Sequence, residues 1–225
     1  MEISPDSVTI FTWGYFRINA TIVYTWVVMV LLIIVSLLVT QNLSAGFALS
    51  RWQNFLETIV DSMRNQIREI IRQRPEPYLS FIGTLFLFIS ISNFLSIVPG
   101  YHPPTSSFST TAALAICVFF AVPFFSITQS GLAGYLKYYI KPSIFMLPFN
   151  ILGEISHTLT LAIRLFGNIM SGTLIGAILI SVIPFFIPAV MEVLELLIGQ
   201  IQAYIFAILA AVYIASATRA GRNEG

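Results

Sequence analysis

Between Ala20 and Val39 the chain carries no charged side chain. A helix rises about 1.5 Å per residue, so a run of this length covers the roughly 30 Å hydrocarbon core of a bilayer. In water such a segment would need a large protein core to hide in, and the rest of the chain cannot supply one. Of its 225 residues, 57% are hydrophobic and only 9% are charged, against about 25% charged in a soluble domain. There are too few polar side chains to coat a globule, so the bilayer is the solvent and the long apolar runs are spanning helices.

The remaining runs differ in character. Asn42 to Arg74 carries Arg51, Glu57, Asp61, Arg64, Arg68, Glu69, Arg72 and Arg74, while Trp52, Phe55, Ile59, Met63, Ile67 and Ile70 recur at helical spacing. That pattern predicts an amphipathic helix on the membrane surface, ended by Pro75 and Pro77. Tyr78–Val98 and Thr111–Thr128 read as further spans, the latter kinked at Pro123, with a loop rich in turn residues between them. Ser143–Ile183 and Ala189–Thr218 read as two long helices joined by a turn at Pro184 and Pro188, with a frayed tail after Arg219.

The expected architecture is therefore an all-α integral membrane protein of five membrane helices and one amphipathic surface helix. It forms a single domain over 1–225: an N-terminal anchor (1–40), the surface helix (42–76), two membrane helices (78–142) and a long tilted hairpin (143–218). Residues Met1 to Asn19 hold Glu2, Asp6 and Arg17 and lack the basic start of a signal peptide, so the first span is expected to be retained. With the N-terminus outside, Arg51, Arg64, Arg68, Arg72, Arg74, Lys137, Lys141, Arg219 and Arg222 fall on the cytoplasmic side and only Arg17 falls outside, as the positive-inside rule favours.

A net charge of +1 gives no nucleic-acid footprint. Cys117 is a lone thiol and reads as a small packing residue. His102 reads as a plain loop residue. No Cys/His metal spacing, phosphate loop or nucleophile triad is present, so no cofactor, metal or nucleotide site is expected in this chain.

What a lipid-facing hairpin should not contain is Glu154, His157, Arg164, Asn168, Glu192, Glu195, Gln200 and Gln202. A charge at mid-membrane costs about 2.5–3.5 kcal/mol on insertion scales, so these groups should face a water-filled path or a partner. At about 100° per residue, His157 and Arg164 share one side of their helix with Thr160, Asn168 and Ser171, and Gly167 and Gly172 would let another helix approach there. Glu195 and Gln202 form a polar stripe on the last helix, with Glu192 a turn earlier. In the favoured orientation Glu154 and His157 lie toward the cytoplasm, Arg164 lies near the middle, and Glu192 and Glu195 lie in the outer half. Two offset half-paths then meet at a fixed cation.

The stretch Leu159-Thr-Leu-Ala-Ile-Arg-Leu-Phe-Gly-Asn168 resembles the signature of the a subunit of F-type ATP synthases. Pro148-Phe-Asn-Ile-Leu-Gly-Glu154, Gln202-Ala-Tyr-Ile-Phe206 and Tyr213 are similar to the same family. The resemblance implies ion translocation, with the proton favoured and sodium as the alternative, as the stator of a rotary ATP synthase. Arg164 takes the place of the family's essential arginine facing a rotor carboxylate, and Gln202 that of its polar partner. Asn168 and Glu195, with Gln202 and Glu192, fall on the outer path, and Glu154 and His157 on the inner. Thr173 stands where several relatives carry an acid. The short chain resembles the compact N-type variants. Implied partners are the ring of c subunits, the b subunits of the peripheral stalk, membrane lipid and the catalytic head, with no nucleic acid and no nucleotide-binding role for the chain itself. A bacterial plasma membrane is the expected location, with a thylakoid as the alternative. A secondary transporter for a small anion would also use a buried Arg–Glu network, but no paired repeat with broken helices is present, and a mere scaffold would leave the charges unexplained.

Overall fold

The computed structural model describes residues 9–13, 16–41, 51–71, 74–98, 101–140, 145–182 and 187–222. Among them are six α-helices: α1 (Ala20–Gln41), α2 (Arg51–Ile71), α3 (Glu76–Phe94), α4 (Phe108–Ile140), α5 (Met146–Val182) and α6 (Ile187–Arg222). Five of these, all but α2, hold stretches long and apolar enough to cross a membrane. The expected all-α membrane architecture is the one observed.

Three details depart from the sequence reading. A short antiparallel hairpin, β1 (Thr9–Trp13) and β2 (Phe16–Asn19), precedes α1, with Trp13 paired to Phe16. Alternation over four or five residues beside a long helical run gave too weak a signal to find it. The break in α4 falls at Gly131, whose φ of 73° is open to glycine alone at little cost. Pro123 sits within the helix. The last helix continues to Arg222 instead of fraying at Arg219. Asn42–Ser50, Arg72, Pro99, Lys141, Pro142 and Pro184 lie outside the described residues, as do the side chains of Arg17, Arg51, Lys137, Arg219 and Arg222.

Helix α6 is the central rod. In its spanning stretch 44% of residues are buried, against 11% in α1 at the edge. Its buried face is built largely of alanines, among them Ala203, Ala207, Ala210 and Ala211. Lipid tails are as apolar as leucine, so helices in a bilayer gain by close backbone approach, which small residues allow. One core cluster joins α6 to Leu85 and Ile89 of α3, Val118 of α4 and Leu165 of α5. A second, nearer the α6 C-terminus, takes in Tyr78 and Ile82 of α3 with Ala211 and Ile214.

The second cluster also seats the surface helix. Ile67 and Ile71 of α2 are 3% and 0% exposed there, while Arg64, Arg68 and Glu69 face outward. Pro75 and Pro77 stop α2 and start α3, and Arg64 bridges back to Glu76 in the first turn of α3 at 3.1 Å. That pair is solvent-exposed and contributes little. The start of α3, the end of α6 and α2 therefore share one end of the bundle.

The opposite end is tied by polar contacts. The Asn93 amide donates to the Gly199 carbonyl at 2.8 Å, and its Oδ1 accepts from the Thr105 hydroxyl at 3.3 Å. Ser90 and Gln200 exchange two bonds, Ser90 Oγ to Gln200 Oε1 at 2.5 Å and Gln200 Nε2 to the Ser90 carbonyl at 3.0 Å. Tyr101 stacks edge-on with Tyr24 at 4.9 Å, which anchors the α3–α4 loop to α1. Burial pushes the Tyr101 phenol up, so this anchor stays neutral at any physiological pH. Asn93→Ala is expected to leave both partners unmatched in a buried site and to destabilise the protein by about 1–3 kcal/mol, read as a lowered unfolding temperature of the purified protein in detergent.

Candidate functional site

α5 and α6 pack antiparallel, so residues near the start of one meet residues near the end of the other. Two cavities, each lined in part by polar side chains, lie along this hairpin, one toward each end.

The first, of about 210 Å³, is lined by Glu154, His157 and Thr158 of α5, by Tyr213 and Ser216 of α6 and by the Val118–Val122 stretch of α4. It lies toward the end of the bundle that holds α2. The ring of His157 lies 4.8 Å from that of Tyr213, centroid to centroid. Glu154 turns a buried Oε1 into the protein with no hydrogen-bond partner among the described residues. A carboxylate oxygen so placed is costly unless water or an ion reaches it.

The second cavity, of about 140 Å³, lies toward the opposite end. Its polar lining is Asn168 and Ser171 of α5, Glu195 of α6, Asn93 of α3 and Ser96 just after it, set in a mostly apolar wall that includes Gly172, Ile175, Leu194 and Gly199. Glu195 is its titratable residue. A Cβ at position 172 would stand 2.8 Å from Glu195 Oε1, so glycine there lets the carboxylate lie against the α5 backbone. Glu192, about one turn away on α6, is exposed and lies outside the cavity wall. Thr173 does not line the cavity, and its hydroxyl donates to the Met170 carbonyl at 3.0 Å.

Arg164 lies between the cavities and lines neither. On α5 the nearest wall residues are Thr158 and Asn168, about 15 Å apart along the axis at 1.5 Å per residue. The arginine sits on an exposed face with Thr160, Ile163, Gly167 and Ser171, and among the described residues it has no hydrogen bond or ion pair. Gln202 is turned inward beside Ala203 and Phe206, 6% exposed, with its Nε2 unpartnered. No hydrogen bond joins it to Arg164.

The structure thus brings Glu154 together with His157, and Asn168 with Glu195, and sets Arg164 and Gln202 at the level between. Asn93, Ser96 and Tyr213 are wall residues to which the chain's polarity pattern gave no role. An Asn near the end of α3 and a Ser in the turn just after it were the available signal for the first two. Gln200, by contrast, is engaged in tying α6 to α3.

These features define a polytopic helical membrane protein with a broken polar track through its last two helices. Residues 22–215 match the family model described as ATP synthase A chain, and the chain belongs to that family. It is 55% identical to ATP synthase subunit a 2 of Acaryochloris marina over 224 residues, covering 100% of this chain and 96% of the relative. It is 55% identical to ATP synthase subunit a of Albidiferax ferrireducens, covering 97% and 95% of the two chains. With ATP synthase subunit a 1 of Chlorobium luteolum the identity is 54%, covering 99% and 100%.

Proposed function

We propose that this chain is the stationary ion channel of a rotary ATP synthase, with two offset half-paths that meet at Arg164 against a ring of c subunits. The observation that carries the reading is the separation of two cavities, each holding a carboxylate, by a stretch with an arginine on an exposed helix face that has no ion pair among the described residues. An ion can enter each cavity from its own side but cannot pass from one to the other through this chain. It has to be carried across by a partner.

The physics of the carrier follows. A rotor carboxyl that is neutral can face lipid, whereas a bare carboxylate cannot. Arg164 offers the emptied carboxylate a counter-charge and favours its ionised form, so the ion is released before the site passes. The guanidinium keeps its charge throughout and repels cations that would leak along the track. Each elementary charge crossing gains about 2.3 kcal/mol per 100 mV of membrane potential.

Glu195 and Asn168 serve the outer path, with Glu192 at its mouth. Glu154 and His157 serve the inner path. Gln202 lies at the arginine's level as a polar neighbour for the passing site. The orientation follows the basic residues: α2 on the cytoplasmic side and the Asn93–Thr105 end outside, in a bacterial plasma membrane or a thylakoid. The basic face of α2 suits anionic lipid headgroups and the b subunits of the peripheral stalk. The proton is the favoured ion and sodium the alternative.

The sidedness of the cavities tests this. In a Cys117→Ser background, single cysteines at Glu195 and His157 are exposed to a membrane-impermeant thiol reagent in oriented vesicles. The cysteine replacing Glu195 is expected to react only from the outer face, and that replacing His157 only from the inner. Labelling of both from one face would exclude offset half-paths.

A further inference from the structure

Three hydrogen bonds join α3 to α6 at one level, inside the spanning stretch of each helix. Ser90 Oγ donates to Gln200 Oε1 at 2.5 Å, Gln200 Nε2 donates to the Ser90 carbonyl at 3.0 Å, and Asn93 Nδ2 donates to the Gly199 carbonyl at 2.8 Å. A carbonyl can only accept, so the Gln200 amide sits one way round, and the serine hydroxyl holds its oxygen from the other side. The approach is close because residue 199 is glycine: a Cβ there would stand 3.0 Å from Asn93 Nδ2 and 3.1 Å from its Cγ.

Other contacts between the two helices are of a different kind. Ala203 and Ala210 of α6 share a core cluster with Leu85 and Ile89 of α3. Dispersion has no direction, and a shallow face of alanines resists turning of a helix about its axis only weakly. Hydrogen bonds between particular atoms do resist it, because they weaken steeply with misalignment.

The clasp falls where α6 meets the ion path. Asn93 and Gly199 line the outer cavity as well as forming one of the bonds. Glu195, one turn before Gly199, lies about 40° from it around the helix. Gln202 lies about 200° from Gln200, so holding Gln200 on α3 turns Gln202 to the other side. Gln200 itself lines neither cavity.

We propose that Gln200 is a positioning residue of the ion path. Through its two bonds to Ser90 it holds the α3–α6 wall of the outer cavity and the rotation of α6 that keeps Glu195 in that wall and Gln202 turned from α3. The proposal rests on the rotary-channel reading and adds to it a residue that touches no ion.

The test uses the intact complex in vesicles, with ATP-driven ion uptake per assembled complex as the first readout and co-purification of the c-ring as the measure of assembly. Gln200→Leu removes both bonds. Leucine suits a spanning helix, and the freed Ser90 hydroxyl can turn back to a carbonyl of its own helix, as that of Thr84 does to Ser80 at 2.6 Å. The variant is therefore expected to assemble, and its uptake to fall at least about three-fold, the factor that corresponds to losing an average interhelical hydrogen bond in a bilayer. Ser90→Ala alone removes one bond of the two, and added to Gln200→Leu it should lower uptake no further, because the partner is already gone. The second readout is thiol labelling. In a Cys117→Ser background, a cysteine replacing Glu195 should react from the outer face at a rate changed at least about three-fold when Gln200→Leu is added. A residue that contributed stability alone would lower the unfolding temperature and leave uptake and labelling as they were. Uptake at the wild-type rate by Gln200→Leu would overturn the proposal, as would additive losses from the two substitutions, unchanged labelling, or loss of the c-ring. Arg164→Ala runs beside them. If it too pumps normally, the rotary reading itself has failed; if it is inactive while Gln200→Leu is normal, only the positioning role has.

Discussion

Arg164→Ala is expected to abolish coupled ion transport while leaving the protein folded. The side chain is exposed on α5 and has no hydrogen bond or ion pair among the described residues, so its removal should change stability by no more than about 0.5 kcal/mol. The functional cost is of another order. Without the guanidinium, an emptied rotor carboxylate has no counter-charge in a low-dielectric interface, and breaking such a pair costs about 3–5 kcal/mol. At about 1.4 kcal/mol per factor of ten, transport should fall at least about hundred-fold. Arg164→Lys should fail nearly as badly, because a compact ammonium is strongly hydrated and lacks the planar fork. ATP-driven uptake in vesicles, with ring retention checked, measures both. An assembled Arg164→Ala complex pumping at the wild-type rate would refute the mechanism.

Glu195→Ala should produce the second largest loss. Glu195 is the titratable residue in the wall of the outer cavity, and its carboxylate rests on the backbone at Gly172. Removing it leaves hydroxyls and amides, which bind water but cannot hold and release an ion at neutral pH. A drop of about hundred-fold or more is expected, with Glu195→Asp retaining part of the rate. Glu192→Gln should matter much less, because Glu192 is exposed and outside the cavity wall. If Glu192→Gln proves the more damaging of the two, the outer path runs along a different face of α6.

Most of the fold could be read from hydrophobic period and length. Spans of about 20 apolar residues have one solution in a bilayer, and the alternation of Ile59, Met63, Ile67 and Ile70 with arginines marked α2 before any contact was known. The break in α4 could not be read so, because proline is tolerated where neighbouring helices satisfy the freed carbonyl, and Gly131 looked like any other glycine. For the site, the residue types and their order along two helices were legible, since a charge in a bilayer demands a reason. Their grouping was not. Nothing in the spacing tells that Gln200 faces α3 while Gln202, two positions on, faces inward without a bond, or that Asn93 reaches across to Gly199. Those contacts depend on how α3 and α6 rotate about their own axes, and interhelical packing alone decides that.

The distance between the two cavities has an electrical consequence. On the proposed half-path reading both cavities hold water and conduct, so almost none of the membrane voltage would be lost within them. It would fall instead across the stretch around Arg164, about 15 Å of helix in place of a hydrocarbon core of about 30 Å. The field at the arginine would then be roughly double that in the surrounding bilayer, by the focusing that low-dielectric walls impose. On that reading a rotor carboxyl carried past Arg164 would work in the steepest part of the potential, where a small angular displacement does most of the electrical work of the whole crossing.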